Sequence, residues 1–436
     1  MTARPFLALA LAAAGVLPAV PAEAQGDTLP VVTLADAIER ASRFDPDYVF
    51  ALGQVDNAEW GRRAARFAFV LPSVTLSTDL TKYSSAFFNI GTGEPQSTSA
   101  TARVDARYEL FSLRKLAELS RTGAELETAR ADELRARFAA ALLAESDYYA
   151  VLAAKDFARI AADRVRRATE GLGVARARVA SGAAVQSDSL QLVLELSEAR
   201  VDSLRQASAL RVARLELGRR IGADGAVEAA PLDTTMLPDL PMTLDAALAA
   251  ALEQGPDYRA ARASERAANA ALRSRRSDYF PSVNLSASHQ RFDSEFFPTA
   301  RQVSSATIGL TWTPWNGGQR EIAVSQARTA RDVARAIRAD LERGARADVT
   351  EAYEAFATAR ATVELSSVAV AVARENYRVQ ESRYRAGATT ILDLLDAQVR
   401  LTQAEAELVQ ARYGTRLALA GLEAILGRRL LPRTAE

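Results

Sequence analysis

The sequence predicts a mixed fold made twice over in one chain. Long helices form an elongated coiled-coil body, and four strands per chain need further copies to close a barrel. Three observations predict this. The segments 33–221 and 243–426 run through the same order of signals about 205 to 210 residues apart, the mark of an internal duplication. Each half holds a stretch of nearly 70 residues without proline, dominated by strong helix formers. Each half also holds segments whose hydrophobicity alternates with period two.

The duplication is explicit. "TLADAIERA" at Thr33 returns as "TLDAALAAA" at Thr243, and Pro46-Asp47-Tyr48 returns as Pro256-Asp257-Tyr258. "LPSVTLS" at Leu71 returns as "FPSVNLS" at Phe280. Gly182 of "RVASGAAVQSD" returns as Gly387 of "RYRAGATTILD", and Gly222 returns as Gly427. The expected organisation is a signal peptide at 1–24, a first repeat at 25–222, a linker at 223–242, a second repeat at 243–427 and a tail at 428–436.

The first residues hold a basic Arg4, an apolar run at 6–20 and then Ala22-Glu23-Ala24. This pattern predicts secretion with cleavage after Ala24. A membrane anchor is the rival reading, for which the run is short. The chain has no cysteine, which excludes disulfides, thiolate chemistry and lipid attachment through a terminal Cys. No later segment approaches 18 uncharged apolar residues, so no membrane-crossing helix is expected. Lys plus Arg equals Asp plus Glu at 54 each, without the basic excess of a nucleic-acid binder. His289 is the only histidine. With no phosphate loop and no metal-ligand cluster, enzyme and cofactor readings fail on inventory.

In the first repeat, Thr33 and Asp36 open a helix that ends near Arg43 and restarts at Pro46, which suits a first turn. "LPSV" stops it, and a strand pair spans 74–110. Val74, Leu76, Thr78 and Leu80 alternate on one strand, and the polar stretch 81–99 reads as a loop. The return strand carries Ala102, Val104, Ala106, Tyr108 and Leu110 on one face, and Arg103, Asp105, Arg107 and Glu109 on the other. A helix at 113–181 would be roughly 100 Å long. Gly182 breaks it, and Ser187 or Asp188 can cap a return helix at 188–221.

The second repeat predicts a helix at 243–278 interrupted at Gly255-Pro256, a strand pair at 283–313, a long helix at 320–384 and a return helix at 391–426. "TWTPWNGGQ" supplies a strand–helix corner at Pro314, Gly317 and Gly318, where paired glycines permit a sharp turn. In the return helix Leu394, Ala397, Leu401, Ala404, Leu408, Ala411, Thr415, Ala418 and Leu422 keep a strict 3, 4 spacing. That heptad period means a left-handed supercoil. On the helices alone, a structural coiled-coil hairpin without transport is an open alternative.

The strands change that balance. Two hairpins cannot close a membrane barrel alone, and open edges are intolerable in lipid. Three chains supply twelve strands, an even number that can close. Tyr83, Tyr108, Phe292, Trp312 and Trp315 lie near strand ends, where aromatic girdles belong. A soluble sheet beside a helical bundle is the bland alternative.

These features resemble the TolC-type outer-membrane channels, or outer membrane factors, over nearly the whole mature chain. The segment "YRAGATTILDLLDAQVRLTQAEAEL" from Tyr384 is similar to the family's second tip and return helix, and "TWTPWNGGQ" to its corner. The resemblance implies a homotrimer, with one twelve-stranded barrel in outer-membrane lipid and a helical tunnel across the periplasm. It implies a passive exit channel for small molecules or polypeptides. A periplasmic adaptor and an inner-membrane pump of RND, ABC or MFS type would be its partners.

It also implies roles at the tip. Gly182 and Gly387 match the turn glycines. Asp188 and Tyr384 match a pair that ties the coils, here as a carboxylate–phenol hydrogen bond. Asp393 and Asp396 match the carboxylates of the entrance constriction, whose threefold rings would favour cations. Asp393 is also well placed simply as a first-turn carboxylate. Thr389, facing Ser187, stands where the best-known member carries a lock arginine, and a threonine cannot make a bidentate link. The first corner, "YELFSLRK", lacks paired glycines. A structural or adhesive envelope protein and a periplasmic adaptor are the competing classes. The adaptor is disfavoured because no run of short strands suggests a lipoyl-like module.

Overall fold

The computed structural model describes residues 29–89, 93–232, 237–293 and 301–431. The expected signal peptide lies outside them. The first half runs β1 (Val31–Val32), α1 (Leu34–Phe44), α2 (Pro46–Val70), β2 (Ser73–Asn89), β3 (Glu94–Phe111), α3 (Leu113–Ala180) and α4 (Gln186–Arg220). The second runs β4 (Glu228–Ala229), α5 (Leu244–Gln254), α6 (Pro256–Ser277), β5 (Ser282–Asp293), β6 (Arg301–Thr311), α7 (Gln319–Arg385) and α8 (Ile391–Leu426).

Local chemistry sets the helix starts, and sets them twice. Thr33 accepts from the Asp36 amide at 3.2 Å, and Thr243 accepts from the Ala246 amide at 3.3 Å, each an N-cap. Pro46 and Pro256 then open α2 and α6 at the position that needs no amide hydrogen. Ser112 caps α3 by accepting from the Arg114 amide at 3.1 Å, which lets the first corner do without paired glycines. At the second corner Gly317 and Gly318 sit at φ 69° and 81°, a conformation that side chains resist.

β2, β3, β5 and β6 form one antiparallel sheet in the order β2-β3-β5-β6. Its register sorts the side chains. Val74, Ala106, Ala287 and Ala306 share one row, and Tyr108, Leu285 and Ile308 another. Alternating with them are the rows of Thr75, Asp105, Ser288 and Ser305, and of Arg107, Ser286 and Thr307. One face is therefore apolar and the other polar, as the sequence alternation requires. Arg103 donates to Gln290 across the polar face at 3.1 Å. His289 falls in an apolar row and hydrogen bonds Ser304 at 2.9 Å. The stretch 81–99, expected as a loop, is mostly strand. Past a register shift between Lys82 and Phe87, Asn89 still pairs Glu94. Backbone pairing across a hairpin needs no side-chain alternation, so composition hid it. The expected linker also contributes β4, which pairs β1 in parallel.

The helical body has two matched cores at its equator. One gathers Tyr148, Val151, Leu217 and Ile221 with Val32, Leu34 and Ala37. The other gathers Val349, Leu422 and Leu426 with Ala247, Ala250 and Tyr258. Tyr148 donates to the Ala230 carbonyl at 2.8 Å and its repeat counterpart Tyr353 to the Met242 carbonyl at 3.2 Å. α3 packs against both α4 and α8, and α7 against α8. Most of the predicted α8 seam is buried, including Leu394, Ala397, Leu401, Ala404, Ala411, Thr415 and Leu422. By length and composition α7 is apolar enough to span a bilayer, although charged residues interrupt it. Within that helix, Leu365, Val368 and Val372 are exposed in the single chain.

Candidate functional site

The two helix-to-helix turns lie together at the end of the body away from the sheet. α3 ends in a Schellman turn, with the Gly182 amide donating to Val179 at 3.0 Å and the Ala183 amide to Arg178 at 2.8 Å. α7 ends identically, with Gly387 donating to Tyr384 at 3.1 Å and Ala388 to Arg383 at 2.8 Å. Gly182 and Gly387 have φ of 74° and 79°, the left-handed conformation this turn requires.

An arginine staples each turn. Arg178 donates from Nη2 to the Ala183 carbonyl at 3.1 Å, and Arg383 from Nη2 to the Ala388 carbonyl at 3.3 Å. Arg178 does more. Its Nη1 reaches the second tip and donates to the Tyr384 carbonyl at 2.6 Å. Its guanidinium lies 4.6 Å from the Tyr384 ring centroid, a cation–π contact. Sequence reasoning missed both arginines. An overlay of "RVASG" on "RYRAG" exposes them, since each stands four residues before its turn glycine.

The two tips share one core. Leu172, Ala175, Leu192 and Leu196 of the first hairpin pack with Tyr384, Ile391 and Leu394 of the second. Below it, Arg164 holds Glu195 at 2.9 Å, and Gln398 donates to the same carboxylate at 2.9 Å. Arg167 and Arg374 flank Glu405 at 3.6 and 3.2 Å.

The expected phenol–carboxylate tie is not made. Tyr384 is 1% exposed and its hydroxyl has no hydrogen-bond partner. Burial first, and then the charge of Asp188, raises the phenol's pKa, while Arg178 lowers it. Asp188 is therefore near enough to act on Tyr384 through its field without bonding to it. Nor do Ser187 and Asp188 cap α4. Its N-cap is Val185, with no side-chain bond. Ser187 lies exposed in the first turn.

Thr389 turns to its own helix instead of toward Ser187. It donates to Asp393 Oδ2 at 2.8 Å, and Thr390 donates to the same oxygen at 2.7 Å. The Asp393 amide returns a bond to Thr390 at 3.2 Å, which completes a capping box. The Thr390 hydroxyl, then the Thr389 hydroxyl and the Thr390 amide, hold the Asp393 carboxyl below the usual carboxylate range. Asp396 is exposed and pairs with Arg400 at 2.8 Å on the same helix. Among the described residues no cluster of three His, Cys, Asp or Glu side chains is placed to hold a metal.

At the other end of the body, the Pro314-Gly317-Gly318 corner closes around a third unpredicted arginine. Arg320 donates to the carbonyls of Thr313 at 3.0 Å, Pro314 at 2.9 Å and Asp278 at 3.3 Å. Its guanidinium stacks 4.0 Å from the Tyr279 ring. Lys115, its repeat counterpart, lies 4.2 Å from the Tyr108 ring. A cation thus fixes each junction where a strand becomes a helix.

The sequence model of the outer membrane efflux protein family matches residues 38–223 and 247–428. The chain belongs to that family. Protein CyaE of Bordetella pertussis is 33% identical over 184 residues, which are 41% of this chain and 38% of that protein. The pyoverdine export outer membrane protein OpmQ of Pseudomonas putida is 26% identical over 423 residues, covering 90% of this chain and 85% of that one. The crystal structure of the CmeC outer membrane channel of Campylobacter jejuni superimposes with a TM-score of 0.77 at 15% identity, over 90% of this chain and 85% of that one. As a member of the outer membrane efflux proteins, the chain is an outer-membrane channel of an efflux or secretion system, with its long helices extending into the periplasm. It is a conduit and not an enzyme.

Proposed function

We propose that three copies of this chain form one passive exit duct, with twelve strands in the outer membrane and twelve helical strands across the periplasm. The observation that carries this is the pair of sheet edges. β2 and β6 each have a pairing partner on one side only among the described residues. A lipid-exposed edge leaves backbone groups unsatisfied at several kcal/mol each. Pairing β6 of one copy with β2 of the next removes all edges at once and keeps every apolar row facing outward.

The duct holds no energy source of its own, so a pump of RND, ABC or MFS type in the inner membrane would drive export through it. A periplasmic adaptor would seat on the tip turns around Gly182 and Gly387. The relative named for pyoverdine export illustrates a small-molecule cargo. Native mass spectrometry of the detergent-purified protein tests the assembly. A trimer is expected, and a stable soluble monomer would remove the proposal.

A further inference from the structure

We propose that Arg383 is the intersubunit counterpart of Arg178, and that the tip therefore opens between copies before it opens within one. The inference rests on the trimer proposed above and adds the contact that seals its seams. Three chains of two like halves place six like hairpins in a ring, so within-chain and between-chain neighbours alternate. The within-chain boundary is visible. Arg178 staples its own turn through the Ala183 carbonyl and crosses to the Tyr384 carbonyl of the next hairpin.

Arg383 occupies the same place in the second hairpin and makes the same staple, to the Ala388 carbonyl. Among the described residues its second arm reaches no other hairpin of the chain. In the ring the next hairpin is the first one of the neighbouring copy, and the carbonyl equivalent to Tyr384 is that of Val179 of the partner subunit. The landing site is built alike, since Val179 accepts from Gly182 as Tyr384 accepts from Gly387. The space is there too. A Cβ at Gly387 would meet Arg178 Nη2 at 3.4 Å, whereas a Cβ at Gly182 would meet nothing within 4 Å. Gly182 thus faces the gap that the partner's arginine would fill.

The flanks agree. α7 follows directly from the free strand β6, so both lie along one seam. On α7, Leu365 is 71% exposed, while its counterpart Ile160 on α3 is 7% exposed. On α4, Leu204 is 72% exposed, while its counterpart Val409 on α8 is 3% exposed. The apolar positions that the α3–α8 boundary covers are the ones that α7 and α4 leave bare for a second copy.

One difference sets the order of opening. Tyr384 offers Arg178 a ring as well as a carbonyl. Val179 offers Arg383 only the carbonyl. The clamp between copies lacks the cation–π contribution and is the weaker of the two alternating links.

Single-channel conductance of the full trimer in planar bilayers tests this. Arg383→Ala should raise the open fraction by roughly tenfold or more, on the scale of one lost charged hydrogen bond per seam. Val179→Tyr, which restores the missing ring, should lower the open fraction in the wild-type background and leave it unchanged beside Arg383→Ala. That dependence on Arg383 is a coupling that a merely bulky side chain would not show. A trimer whose gating ignores Arg383→Ala, or which Val179→Tyr closes equally in both backgrounds, overturns the contact and leaves the assembly standing. A monomer by native mass spectrometry overturns both.

Discussion

Tyr384 works at the tip through its ring. The phenol oxygen is buried and unpartnered, while the ring carries Arg178 and joins the tip core. Leaving a buried hydroxyl unpaired costs about 1–3 kcal/mol, so Tyr384→Phe should close as well as wild type or better. Tyr384→Ala removes both packing and the cation–π face, and should raise basal conductance. Planar-bilayer recording of the two variants separates these roles, and a leaky Tyr384→Phe channel would restore the hydroxyl tie implied by the family resemblance. The acidic residues of the second tip are similarly local. Asp393 is engaged in a capping box, and Asp396 is countered by Arg400. Any ring of carboxylates at the entrance would therefore be a ring of Asp396–Arg400 pairs, with less cation preference than bare aspartates give.

At the scale of elements, what the sequence disclosed was whatever leaves a period or a punctuation mark. The four long and return helices were legible within a few residues because apolar spacing, Gly182 and Gly387 mark them directly. The strand extensions at 81–99 and the β1–β4 bridge were not legible, because backbone pairing holds them and their side chains carry no alternation. The staples were hidden for another reason. A lone arginine in a chain with 54 basic residues stands out only when the two halves are aligned. The segment after α8, expected as a tail, is another case. Arg429 bonds Glu145 of α3 at 2.9 Å and Glu423 of α8 at 2.7 Å, and both carboxylates are buried. It links the two repeats at the equator. Arg429→Ala would leave two buried negative charges facing each other. Breaking a buried pair costs about 3–5 kcal/mol, and the partial exposure of Arg429 places the expected loss near the lower end. A thermal melt of the purified protein reads it directly, and a Tm within a degree of wild type would contradict the assignment.

For the whole molecule, the decisive quantity is how much apolar surface the single chain leaves uncovered and where. Along α7 and α4 it forms a seam: Leu365, Val368 and Val372 on one helix, and Leu190, Val193 and Leu204 on the other. A charge placed on an exposed position of a monomer usually changes stability by no more than about 0.5 kcal/mol. The same charge placed in a closed ring is buried at every seam without a partner, at several kcal/mol each. Leu365→Glu therefore distinguishes surface from seam. The variant should keep wild-type helicity by circular dichroism and still reach the membrane fraction, yet its trimers should fall apart at detergent and temperature conditions that wild-type trimers survive. Ile160→Glu, at the equivalent but already covered position, should instead damage folding of the chain itself. If Leu365→Glu trimers resist heat and detergent as wild type does, α7 does not form the intersubunit seam, and the six-hairpin ring is wrong at its first joint.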